Sequence, residues 1–281
     1  MRRLQPKSFV LPALLACAAM VGRSVTAEEI FADKNLDAAV REVALKHQDP
    51  KKELTDEDLK KVYVLDASGR GIENLSGLER CGNLAQLDLS HNAVSDVSPL
   101  KDKKILQWLD LSNNKIKDVG PLATDAALQY LNLENNVVGD AAPLGKLSKL
   151  SALYAAGNKI HDVTPLGGLL RLASLELAKN EVEQIAGLST LVNLSLLDLS
   201  DNHVKDLSPL ASLTALRLLM LERNQIADLG PLVEMTKQDF EGPKRFAPFL
   251  NLYLAGNPLS EEAKSKQLDA LKQFGVRIKS P

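Results

Sequence analysis

Residues 106–122 read LQWLDLSNNKIKDVGPL. Apolar side chains fall eight, five and three places before Asn114, and two, five and eight places after it. Leu109 and Leu111 are two apart, so both lie on one side of a strand, and Trp108 and Asp110 turn to the other. Past the asparagine the apolar spacing opens to three and Pro121 fixes a bend, which predicts a helical or 3₁₀-like return. The same frame holds at 84–100, LAQLDLSHNAVSDVSPL, and at 194–210, LSLLDLSDNHVKDLSPL. Asn92, Asn114, Asn136, Asn158, Asn180, Asn202 and Asn224 stand 22 residues apart. A fixed period of this length marks a stack of strand-turn-return units.

Two further units extend the array. Val62, Leu65, Ala67, Ile72, Leu75 and Leu78 fit the frame with Arg70 in the asparagine place, and Phe249, Leu252, Leu254, Asn257 and Leu259 fit it again, 33 residues after Asn224. The spacing predicts nine units over 62–259 with an insertion within 233–245. One unit alone buries too little apolar surface to offset the ordering of its backbone, whereas stacking adds a parallel ladder and a shared core. Each repeated asparagine, from Asn92 to Asn224 and Asn257, is predicted to sit inside its turn, where an amide can satisfy backbone groups of adjacent coils that face no water. Asp96, Asp118, Asp140, Asp162, Asp206 and Asp228 precede an apolar residue and are placed to accept N–H groups of the next turn.

This pattern resembles the leucine-rich repeats. The 22-residue period and the N-x-I-x-D-V-x-P-L tail are similar to the short repeat of internalin-like bacterial proteins and of regulators of protein phosphatase. The resemblance covers about 200 residues, together with a lead-in, NLDAAVREVALKH…LTDEDLKKV, that looks like an internalin-type helical cap. It implies a right-handed α/β solenoid with a parallel sheet on its concave face and helical caps at both ends. About function it implies only that the chain binds a partner, because such scaffolds serve many unrelated ones.

A stacked core needs lids. At the front, within 28–61, Leu36, Ala39, Val40 and Val43 share one helical face, Asn35 is the candidate cap, and Thr55 with Asp58 forms a candidate capping box. At the back, within 260–281, SEEAKSKQLDALKQFG opens on Ser260 and closes on Gly275, with Leu268, Leu271 and Phe274 to cover the last coil.

The outward strand positions lie six, four and two places before each asparagine, and the repeat requires none of them. The first column reads Val64, Gln86, Trp108, Tyr130, Ala152, Ser174, Leu196, Leu218, Asn251; the second reads Asp66, Asp88, Asp110, Asn132, Tyr154, Glu176, Asp198, Met220, Tyr253. Trp108, the single tryptophan, neighbours Tyr130 on adjacent strands about 4.8 Å apart, and Tyr154 lies one strand on. These aromatics form a candidate partner-binding patch, with Asp88, Asp110 and Glu176 around it. Leu196, Leu218 and Met220 form a second candidate patch. Isolated exposed apolar residues also occur without purpose, and the carboxylate column is equally a habit of the LDLS repeat.

The chain of 281 residues is 45% apolar yet 4% aromatic, so its core is aliphatic. Residues 1–27 read as a signal peptide: Arg2, Arg3 and Lys7, then FVLPALLACAAMVG, then SVTA. Export is the expectation, to the periplasm, the medium or the cell surface. The alternative is lipidation at Cys17, which ends an imperfect lipobox with Leu15 in a place usually small, and which would anchor the protein to a membrane. Removing residues 1–27 takes away Arg2, Arg3, Lys7 and Arg23 and moves the formal charge from −2 to −6. No basic stripe of the kind nucleic-acid binding requires is present. Cys81 would be the only cysteine of the processed chain; it aligns with inward Leu147, Leu169, Leu191 and Leu213 and is expected to be buried and inert. His47, His91, His161 and His203 are dispersed along the array, and no nucleophile–base pair or metal-ligand set can be assembled. The reading is therefore a non-catalytic scaffold without cofactor or small-molecule substrate, whose partner is another protein. The alternatives are a regulatory subunit docking on an enzyme such as a phosphatase, and a surface adhesin of internalin type. The insertion, with Lys237, Phe240, Lys244 and Arg245, is read as a loop on one face of the solenoid or as padding before the last coil.

Overall fold

The computed structural model describes residues 29–279; the expected signal peptide, residues 1–27, and the candidate lipidation residue Cys17 lie outside them. Ten short parallel strands form one sheet in sequence order. They are β1 Val64–Asp66, β2 Gln86–Asp88, β3 Trp108–Asp110, β4 Tyr130–Asn132, β5 Ala152–Tyr154, β6 Ser174–Glu176, β7 Leu196–Asp198, β8 Leu218–Met220, β9 Asn251–Tyr253 and β10 Arg277–Lys279. Pairing is in register at the repeat length: Trp108 opposes Tyr130, Leu109 opposes Leu131, Asp110 opposes Asn132. The curved, unclosed sheet makes the chain a leucine-rich-repeat solenoid. Strands β1 to β9 each bury a central leucine and turn their outer two residues outward; in β10 the central residue is the partly buried Ile278. The return segments are mostly 3₁₀ turns, several opened by proline, whose fixed φ suits the first helical position. One aliphatic cluster runs from Phe31 to Val276.

The asparagines form a second spine beside the leucines. Asn180 Nδ2 donates to Ala155 O, Leu177 O and Ala178 O at 2.9, 3.0 and 3.3 Å, and its Oδ1 accepts Ile160 N at 2.9 Å. One side chain thus closes its own turn and ties it to the coil before. Asn92, Asn114, Asn136, Asn158, Asn202, Asn224 and Asn257 bridge their own turn to the previous coil in the same way. The aspartates four residues after the repeated asparagines accept the N–H two residues on, as Asp162 does from Thr164 at 2.8 Å. Cys81 is fully buried, and burial pushes its thiol up to about 11.

At the front, helix α1 spans Lys34–Ala44. Its cap is Asp33, not Asn35: Asp33 Oδ1 accepts Asn35 N and Leu36 N at 2.9 and 3.2 Å. Its Oδ2 accepts Glu73 N and Asn74 N of the first coil at 2.8 and 3.2 Å, so one carboxylate joins lid to stack. Arg70, in the asparagine place, reaches back to Glu42 of α1 at 2.7 Å. Helix α2, Asp56–Leu59, begins with the Thr55–Asp58 capping box.

Three features depart from expectation. The insertion is not a loop. It forms helix α3, Gly230–Glu241, which packs on the neighbouring 3₁₀ return and on the C-terminal cap rather than on the sheet. Buried Asp239 accepts the N–H groups of Arg245, Phe246 and Ala247 and so folds the segment after the helix back onto it. Phe249, expected inward, is 50% exposed, while Phe246 and Leu250 are buried. The extra helix changes the approach to β9, and Phe249 instead lies under the Arg217 guanidinium, 4.8 Å from the ring centre. Finally, after a π-helical turn and helix α4, Leu268–Gln273, the chain adds β10 beside β9. In this cap Leu271 is buried, and Phe274 packs on Phe240 of α3 at 5.6 Å.

Candidate functional site: the aromatic wall

The register that buries the leucines puts Trp108, Tyr130 and Tyr154 side by side on the outward face of β3, β4 and β5. The Trp108 and Tyr130 rings stack at 5.0 Å between centres with an 11° interplanar angle. Tyr130 and Tyr154 follow at 5.4 Å and 41°. Three half-buried rings on consecutive strands therefore make one continuous row. Leu196 and Leu218 are opposed on β7 and β8, and Met220 opposes Asp198, so the second patch is also contiguous.

The carboxylates divide into two kinds. Asp88, Asp110 and Asp198 each accept the N–H of the serine two residues on, at 2.8–2.9 Å, and Asn132 does the same for Glu134 N at 3.0 Å. Their side chains therefore stiffen the strand ends. Asn132 also donates to Asp110 at 3.0 Å, which relieves part of the repulsion along that column. Glu134 and Glu176 make no such bond to the coil. Burial, then the charge of Asp110, raises the Glu134 carboxyl above its usual range. Burial, then Glu134 and Asp198, does the same to Glu176. The Tyr130 hydroxyl is pushed up to about 12, by burial first and then by Asp110, Tyr154 and Glu134. The wall thus has a mutually repelling negative cluster around the ring row.

A crystal structure of internalin C2 from Listeria monocytogenes is 34% identical to this chain, covers 73% of it and 91% of its own length, and superposes with a TM-score of 0.70. The chain belongs to the internalin-like leucine-rich-repeat proteins of bacteria. An internalin, InlF, from the same organism is 27% identical and covers 89% of this chain and 76% of its own, with a TM-score of 0.69. Family models described as Leucine Rich repeats (2 copies) and Leucine Rich Repeat match residues 192–234 and 106–124. The ectodomain of the Arabidopsis thaliana receptor kinase GASSHO1/SCHENGEN3 shares the fold at 20% identity, covering 73% of this chain and 28% of its own, with a TM-score of 0.53. No curated protein sequence matches the chain significantly.

In this internalin-like chain the sequence columns locate the ring row, but they omit Glu134 and Glu222. Both stand two places before an asparagine, the third outward column, where most coils carry Ser or Ala. Reading that column would have found them. Also unforeseen is a hollow of about 360 Å³ on the wall, lined by Ala156, Gly157 and Ala178 and by Glu134, Asp198 and Glu222. The small side chains of two consecutive coils open it. Among the described residues, no three His, Cys, Asp or Glu side chains converge as a metal site, and no helix is long and apolar enough to cross a membrane.

Proposed function

We propose that the protein is an exported, non-catalytic scaffold that binds another protein through its concave sheet face. The primary contact is the ring row Trp108, Tyr130 and Tyr154, bordered by Asp88, Asp110 and Glu176; Leu196, Leu218 and Met220 are the second contact. The observation that carries this reading is the ring row itself. Neither leucine core nor asparagine spine needs those rings, and three contiguous aromatics held half-open supply large, rigid contact area at low entropic cost. The relation to the internalins supports a protein-interaction role. Export is supported by the basic, then apolar, then small-residue order of residues 1–27.

The test is affinity capture from envelope and culture extracts with wild type and with Trp108→Ala/Tyr130→Ala. Selective loss of a captured protein from the variant, with its circular dichroism unchanged, is the expected outcome. An unaltered set of captured proteins would remove the ring row from the interface. N-terminal sequencing of the native protein checks export, and an intact residue 1–27 segment would favour an enzyme-docking subunit inside the cell.

A further inference from the structure

The wall is acidic as well as aromatic, and its chemistry names what the partner must present; this step rests on the binding-face reading above. Over β1–β8, none of the residues six, four or two places before the asparagines is Lys or Arg. Carboxylates at these positions include Asp110, Glu134 and Glu176 beside the rings, and Asp198 one strand past Glu176. Ion pairs among the described residues lie elsewhere, at the caps, the turns and the returns, and none involves these four. Tyr154 on β5 sits between β4, two residues past whose end Glu134 stands, and β6, whose Glu176 opposes it directly in register. Two residues past Tyr154, Ala156 opens the hollow that Glu134 and Asp198 also line.

We propose that this part of the wall receives an arginine side chain from a basic segment of the partner protein, its guanidinium lying on the Tyr154 ring and donating to Glu134 and Glu176. A planar guanidinium can stack on an aromatic face while its N–H fork serves carboxylates on either side, which a lysine ammonium cannot do in the same geometry. Lys179 and Arg223 also line the hollow, from the turns after their strands, but Arg223 is held by Asp201 at 2.5 Å. The Glu134 and Glu176 carboxylates accept no backbone N–H, so the coil does not need their charge. Burial first, and then the neighbouring carboxylates, raise both carboxyls, and a bound cation would lower them again.

Trp108, the only tryptophan in the chain and stacked on Tyr130, reports directly on the site. The probe is acetyl-Gly-Ser-Gly-Arg-Gly-Ser-Arg-Gly-amide, titrated into the full processed protein by fluorescence and calorimetry beside its lysine and citrulline counterparts. The arginine peptide is expected to saturate, to bind several-fold tighter than the lysine peptide, and to weaken as salt rises or as pH falls from 7.5 to 5. Citrulline, neutral and of the same shape, is expected not to bind. Glu134→Gln/Glu176→Gln should lower arginine-peptide affinity by about tenfold or more, with circular dichroism unchanged. Equal binding of arginine and citrulline peptides, no binding of either at millimolar concentration, or wild-type affinity in the double glutamine variant would each overturn the proposal. It fails separately from the binding-face reading. A natural partner lost from Trp108→Ala/Tyr130→Ala but kept by Glu134→Gln/Glu176→Gln would leave the face as the interface and remove the arginine.

Discussion

Asp125 offers the sharpest test of how the stack handles a polar residue in its core. It stands in the inward column that elsewhere reads Cys81, Leu147, Leu169, Leu191 and Leu213, and it is fully buried. Its Oδ1 accepts Lys103 N at 2.8 Å, while Oδ2 has no hydrogen-bond partner. Burial lifts the carboxyl to about 7, about three pH units above an ordinary aspartate, and each unit corresponds to about 1.4 kcal/mol. The folded state therefore binds this proton more tightly than the unfolded one. Between about pH 4 and pH 7 the unfolded chain has released the proton and the folded chain has not, so stability falls as pH rises through that window and levels off above it. The upper bound on the loss is about 4 kcal/mol. Asp125→Asn keeps the acceptor for Lys103 N, matches the protonated acid in shape and never ionises. Near pH 4 variant and wild type should be of equal stability. By pH 8 the variant should be the more stable by up to about 4 kcal/mol. Urea unfolding followed by far-ultraviolet circular dichroism and by Trp108 fluorescence, at half-unit steps of pH, measures the difference, in which titrating groups remote from Asp125 cancel. A wild-type-minus-variant difference that stays flat from pH 4.5 to 8.5 would refute the claim that burial outweighs the nearby Lys103 charge and holds the Asp125 carboxyl protonated.

Three further outcomes follow from the same coordinates. Asn180→Ala takes one hydrogen bond from each of three carbonyls, which keep Asn158, Asn202 and Gly157 N as second donors, and strands Ile160 N in a buried turn, and should cost about 2–4 kcal/mol; Asn257→Ala, half-buried in the last turn where water can substitute, should cost about half as much in the same urea assay. A Cβ at Gly187 would lie 2.5 Å from Thr164 Cα and 3.0 Å from Val163 O, backbone of the preceding return; Gly187→Ala should lower the thermal midpoint at a cost of about 1–3 kcal/mol, and an unchanged midpoint would mean that these returns are not tightly apposed. Asp33→Ala removes the acceptor of four N–H groups shared between α1 and the first coil; hydrogen exchange in residues 34–44 should accelerate while β5 to β7 stay protected, with a cap loss of about 1–2 kcal/mol.

The strands were legible because the 22-residue period leaves each letter one structural duty. Leu109 could only be inward once Asn114 was placed, and Trp108 could only be outward. Legibility ended where the period breaks. The residues between Leu232 and Phe246 carry no repeat letters, and their helical pattern is weak: only Leu232, Met235, Thr236 and Asp239 of α3 are buried. Helix α3 is settled by what it packs against, the preceding return and Phe274 of the C-terminal cap, which no local pattern announces. Strand β10 exists because the cap brings Arg277–Lys279 to the free edge of β9. Lys103 and Asp125 sit in a column already recognised as inward through Cys81, so their burial was available from alignment alone. What alignment could not supply is that Lys103 Nζ finds the carbonyls of Leu78, Glu79 and Cys81, at 2.6, 3.1 and 3.1 Å, while one Asp125 oxygen finds nothing.

The same reasoning sorts the acids of the wall, which composition alone would treat as one cluster. A carboxylate that accepts the N–H two residues on is explained by its own coil, and asparagine can do the work without charge, as Asn132 does between Asp110 and Tyr154. The LDLS aspartates are therefore partly scaffold, and their charge is partly a by-product of turn chemistry. Glu134 and Glu176 have no such bond, stand beside each other's field, and sit partly buried at a cost that grows with ionisation. A solenoid assembled only to be stable would carry Ser or Ala at the first of these places and any neutral residue at the second, as its other coils do at Ser112, Ala156 and Asn132. These two charges flank Tyr154, one just past β4 and one on β6, and a cation arriving from outside would satisfy both carboxylates at once.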